Sequence, residues 1–194
     1  YNIIGISNIN LGKLDEALKA YNKALSLNPN YAEGFNNMGI VIQKQGKLEE
    51  AIKSYKKAFS IKPDYAEAYF NMGTALQYQD KLDEAIEAYN KALLYNPNDA
   101  QANYNMGIAF KAQGKLDKAI ASYKKAISLK PDYVDAHNNM GIILQESGAI
   151  KKAIKTFKKS ILYRSDFASA HHNLSFALLN YGSYQEGLDE YEWR

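Results

Sequence analysis

The sequence predicts an all-α fold of stacked helical hairpins, and three observations support this. A block of 34 residues recurs, so that Gly39, Gly73, Gly107 and Gly141 are evenly spaced, as are Pro63, Pro97 and Pro131. Within each block apolar residues return at i, i+3, i+4 and i+7, the period of one helical face. Glycine and proline punctuate those periodic segments at fixed positions where a helix has to stop. About eleven or twelve helices and no sheet are expected.

Taken in chain order, a partial block 1–31 precedes full blocks 32–65, 66–99, 100–133 and 134–167, and a truncated block 168–194 follows, all within one domain, 1–194. In block 32–65 the first helix is carried by Phe35, Met38, Gly39 and Ile42, and Gly46 ends it. Leu48, Ala51, Ile52, Tyr55, Ala58 and Phe59 form the second helix, which stops before Pro63 because proline cannot continue the hydrogen-bond ladder. Asp64 with Glu67, and Asn98 with Gln101, have capping-box spacing for the next first helix. The recurrent glycines mark where the two helices pass closely, answered by Ala51, Ala85, Ala119 and Ala153, while Tyr55, Tyr89, Tyr123 and Phe157 supply volume. Four glycines inside helices cost about 1 kcal/mol each relative to alanine, so close packing has to compensate.

Composition narrows the function. With 46% hydrophobic residues the chain can bury a core, and a formal net charge of +3 gives no strong sign of a polyanionic partner. Absence of cysteine removes disulfides and thiolate metal sites and fits a reducing compartment, so a cytoplasmic setting is expected. No apolar run approaches the roughly 18 residues of a membrane span, and no membrane partner is expected.

The repeated grammar resembles the tetratricopeptide repeat: in block 66–99 the matching residues are Tyr69, Met72, Gly73, Leu76, Ala85, Tyr89, Ala92 and Pro97. The resemblance implies a right-handed superhelical solenoid whose first helices line a concave groove, with second helices on the convex side. Departures fall at Asn8, where an apolar residue is expected, at Asp80 in place of a turn glycine, and at Ser165 in place of proline. Ser175 and Gly187 replace the packing Gly and Ala, and looser structure is expected at both ends.

Asn37, Asn71, Asn105, Asn139 and Asn173 hold one position in five blocks, next to the core-facing Met or Leu. One residue is about 100° around a helix, which puts these amides on a second stripe with Asn36, Phe70, Tyr104, Asn138 and His172 one position earlier. By the resemblance this stripe faces the groove. A primary amide offers donors and an acceptor together, so a row of them suits the backbone of an extended peptide. Peptide-binding residues are thus Asn37, Asn71, Asn105, Asn139, Asn173, Phe70, Tyr104 and Asn138, and replacing the central three asparagines by alanine is expected to leave the fold nearly intact. A purely local structural role is the alternative. "DAHNNMGIILQESG" at 135–148 is similar to the repeats of O-linked N-acetylglucosamine transferase and its bacterial relatives, which implies an asparagine ladder holding protein substrates.

"SYQEGLDEYEWR" at 183–194 is similar to the segment closing the repeat region of bacterial tetratricopeptide proteins with a downstream glycosyltransferase-like domain; Trp193 as an end cap is the alternative. Two functions remain in view: an interaction scaffold, or the substrate-selecting region of a larger glycosyltransferase. No enzyme activity within the chain, no cofactor and no metal site are expected, since His137 and His171 belong to successive blocks. Acidic pairs such as Glu49/Glu50 and Asp83/Glu84 sit where they complement a helix dipole. Lys151, Lys152, Lys155, Lys158 and Lys159 crowd one second helix, with Lys124 and Lys125 in the neighbouring block, a run that could dock an acidic partner or a nucleic-acid backbone; no stacking rings are interleaved, and a solvated convex face is expected. Self-association through the repeat ends is a further expected partnership.

Overall fold

A computed structural model describes residues 1–193. The protein falls into two compact units, Tyr1–Asn98 and Asp99–Arg194. The first contains α1 (Asn2–Asn10), α2 (Leu14–Leu27), α3 (Ala32–Lys44), α4 (Leu48–Ile61), α5 (Ala66–Tyr78) and α6 (Leu82–Tyr95). The second contains α7 (Ala100–Ala112), α8 (Leu116–Leu129), α9 (Val134–Glu146), α10 (Ile150–Tyr163), α11 (Ala168–Tyr181) and α12 (Tyr184–Tyr191). Among the described residues these twelve helices are the only regular structure, as the period predicts. Each unit is a stack of three hairpins in which every second helix also packs on the next first helix. First helices touch one another as well, α1 with α3, α3 with α5, and α9 with α11, so they share one face of their unit.

The glycine of each first helix lies under the aromatic ring of its partner. A Cβ on Gly73 would stand 2.7 Å from Tyr89, and one on Gly141 would stand 2.5 Å from Phe157. Both rings are fully buried, so the contact that excludes a side chain is ring to backbone, and alanine of the second helix only adds its carbonyl nearby. The turn after each first helix needs a left-handed residue: Gly46 has φ of 81°, and Asp80 takes φ of 59° in the same role. Replacing proline by Ser165 does not move the helix end, since Arg164 is extended just as Lys62 is. The Ser165 carbonyl faces His171 Nε2 at 2.9 Å, as the Pro131 carbonyl faces His137 Nε2 at 2.9 Å.

Two expectations are corrected. The capping boxes do not form: α5 begins after Tyr65 with no side-chain cap, and α7 is capped by Asp99, whose Oδ1 accepts from the Ala102 amide at 2.9 Å. The residues that were to close those boxes serve other partners, Glu67 accepting from Asn36 and Gln101 donating to Asn105. At the chain ends the outcome is mixed. Tyr191 of α12 is exposed where its counterparts are buried. Yet Gly5 still lies under Tyr21, and the Ser175 hydroxyl, fully buried, donates to the Gly187 carbonyl at 2.7 Å. Trp193 stacks on the His171 ring at 3.7 Å, as an end cap does; Arg194, the last residue of the 183–194 segment, lies outside the described residues.

Candidate peptide-binding face

The five asparagines all lie half-buried on first helices. Four of them are tied to the preceding first helix. In Tyr1–Asn98, Asn37 Nδ2 donates to Asn2 Oδ1 at 3.1 Å, and Asn71 Nδ2 donates to Asn36 Oδ1 at 3.0 Å. Asn36 is fully buried and passes its own amide hydrogen to Glu67 Oε1 at 3.1 Å. In Asp99–Arg194, Asn139 Nδ2 donates to the Tyr104 hydroxyl and Asn173 Nδ2 to Asn138 Oδ1, both at 3.0 Å. The amide row is therefore also a crosslink between successive repeats, and it is not independent of the scaffold as the rotation off the core face suggests.

Asn105 differs. At the block position that supplies Asn2, Asn36, Tyr104 and Asn138, block 66–99 carries Phe70, whose side chain has no acceptor. Asn105 Oδ1 instead accepts from Gln101 Nε2 within its own helix at 3.1 Å, and Gln101 Oε1 accepts from the Tyr133 hydroxyl at 2.5 Å. Its Nδ2 has no partner among the described residues, and neither have the carbonyl oxygens of Asn37, Asn71, Asn139 and Asn173. The first-helix face of Tyr1–Asn98 thus presents two acceptors, and that of Asp99–Arg194 two acceptors and one donor.

Each unit has an open cleft beside this row. One, of about 610 Å³, is lined by Ile40, Gln43, Leu48, Tyr55, Asn71 and Tyr78. The Tyr55 hydroxyl donates to Gln43 Oε1 at 2.7 Å, and burial holds the phenol far above its ordinary pKa, so it stays neutral and donating. The other, of about 510 Å³, is lined by Asn138, Ile142, Ala168, Ser169, His172 and Asn173. Of the remaining predicted residues, Phe70 packs against Tyr89 at 5.9 Å, and Tyr104 against Tyr133 at 4.8 Å. Asn138 is nearly buried, so it forms a cleft wall while its carbonyl holds Asn173. Tyr78, 73% exposed, was not legible from the repeats, because its counterparts are Lys44 and Ala112 and nothing recurs there.

Among the described residues no three His, Asp or Glu side chains gather as metal ligands, and no helix is long and apolar enough to cross a membrane.

Family models described as TPR repeat match residues 9–46, 43–80 and 109–148, and models described as tetratricopeptide repeat match 66–99, 88–121 and 134–167. The chain belongs to the tetratricopeptide-repeat family. Among solved structures, it is 33% identical to MamA, covering 85% of this chain and 96% of that one with a TM-score of 0.78. YrrB, described as a TPR protein with an unusual peptide-binding site, is 21% identical over 89% of each chain at a TM-score of 0.75. PilF of Pseudomonas aeruginosa is 18% identical, covers 96% of this chain and 85% of that one, and has a TM-score of 0.87. No curated protein matches.

Proposed function

We propose that the protein is an interaction scaffold, not an enzyme, and that it holds an extended peptide against the first-helix face through main-chain hydrogen bonds. The observation that carries this reading is the set of unpartnered amide groups on each unit: carbonyl oxygens of Asn37 and Asn71 on one, and those of Asn139 and Asn173 with the Nδ2 group of Asn105 on the other. Acceptors suit the N–H groups of a peptide and the single donor suits a carbonyl, with no side chain read. Clefts at Tyr78 and at His172 give room for residues flanking those bonds. The likeness of 135–148 to glycosyltransferase repeats is an alternative setting for the same face, in which the bound peptide is a protein substrate.

A segment found by peptide array, measured against Asn105→Ala, tests the reading. Loss of one hydrogen bond, worth about 0.5–1.5 kcal/mol, weakens binding by roughly two- to twelvefold. Equal affinity of the two proteins contradicts a ligand role for this amide. Self-association is a second reading, favoured by exposed apolar groups on the end hairpins, Ile3 at 81% and Tyr184 at 68%. Sedimentation showing a strict monomer at high concentration contradicts it.

A further inference from the structure

The second helices share a charge pattern that α10 breaks. Acids occupy the first turn of α2 (Asp15, Glu16), α4 (Glu49, Glu50), α6 (Asp83, Glu84) and α8 (Asp117). The first turn of α10 has none and carries Lys151 and Lys152 instead. Cations there oppose the helix dipole, and a local rule broken in this way points to a functional constraint. Lys155, Lys158 and Lys159 extend the row, no acid lies anywhere in the helix, and all five lysines are exposed while Ala153 and Phe157 fill the core. In the neighbouring block Lys124 and Lys125, also exposed, repeat the positions of Lys158 and Lys159.

Two of the five have partners within the unit. Lys158 Nζ meets Glu186 Oε2 of α12 at 3.3 Å, and Lys151 Nζ lies 5.4 Å from the centre of the Tyr181 ring. Lys152, Lys155 and Lys159 have none among the described residues.

We propose that the lysine row of α10 is a docking face for an acidic segment of another protein. The contact between Lys158 and Glu186 shows the pairing the row accepts, a glutamate presented by a neighbouring helix. From Lys151 to Lys159 the row spans about 12 Å at 1.5 Å per residue, which about four residues of extended chain cover. Single-stranded nucleic acid needs stacking rings among its cations, and the one ring inside the row, Phe157, is buried. A helix that inserts into a bilayer carries apolar groups beside its lysines, and the exposed Leu162 and Tyr163 lie beyond the last lysine. This face belongs to the second helices, so its failure and the failure of the first-helix reading are separable.

The test is fluorescence anisotropy with a labelled peptide of eight glutamates and a Gly-Ser peptide of equal length. The wild-type protein is compared with K152E/K155E/K159E, and with K53E/K56E/K57E on α4, which removes the same charge elsewhere; circular dichroism checks folding. K152Q/K155Q/K159Q gives a neutral second variant. The proposal expects the acidic peptide to bind more tightly than the Gly-Ser peptide and the excess to weaken as salt rises, with a loss of tenfold or more in the α10 reversal, a smaller loss in its glutamine version, and little change in the α4 variant. Equal loss in the α4 and α10 reversals, no binding by wild type, or tighter binding to an RNA oligomer or to phosphatidylglycerol vesicles overturns it.

Discussion

Replacing Asn71 by alanine removes the donor to Asn36 Oδ1, an atom on a residue with 0% exposure. A buried acceptor left without its donor costs about 1–3 kcal/mol. Alanine returns about 0.5 kcal/mol through helix propensity, so a net loss of about 0.5–2.5 kcal/mol is expected. Asn173→Ala orphans Asn138 Oδ1 in the same way, at 6% exposure, and falls in the same range. Asn105→Ala leaves only Nε2 of the exposed Gln101 without its acceptor, and its stability stays within about 0.5 kcal/mol of wild type. Thermal unfolding followed by circular dichroism resolves the difference, because each kcal/mol shifts the midpoint of a chain of this size by about 2–4 °C. Asn105→Ala melting as early as the other two variants refutes the assignment of crosslink and free amide.

Gly107→Ala places a methyl 2.6 Å from the Tyr123 ring, which is fully buried and cannot give way; overpacking of about 1–3 kcal/mol outweighs the propensity gain of about 1 kcal/mol, and a urea midpoint at or above wild type contradicts this. Asp80→Gly relieves a left-handed residue and raises stability by up to about 1 kcal/mol, whereas a lower midpoint would mean that the Asp80 side chain has a structural role of its own. His137 titrates below its ordinary value of 6.5 because burial disfavours the cation, opposed by its hydrogen bond to Pro131 and reinforced by Lys159. The unfolded chain then takes the proton first, so stability falls as the pH drops below about 6.5; His137→Gln loses that part of the slope, and identical pH profiles for the two proteins count against it.

The hairpins were legible because helix period, turn glycine and terminating proline repeat, and each repetition independently confirms the register. Recurrence also located the asparagine row. It did not reveal where the amide hydrogens go, since the acceptor lies 35 residues earlier and changes identity from Asn2 and Asn36 to Tyr104 and Asn138. The capping boxes misled because Glu67 and Gln101 have the right spacing for a local bond and a better partner elsewhere, a buried amide for one and a phenol for the other. Tyr78 is a single departure from the repeats, and repeat reasoning is blind to what occurs once.

The central claim is that main-chain groups of a peptide bond to the first-helix amides. Isothermal titration of an array-selected segment against the same segment with alternate backbone amides N-methylated tests it most directly. The account predicts that N-methylation weakens binding tenfold or more while alanine replacement of single side chains changes it little. Unchanged affinity on N-methylation, together with loss on truncating one side chain, would contradict it.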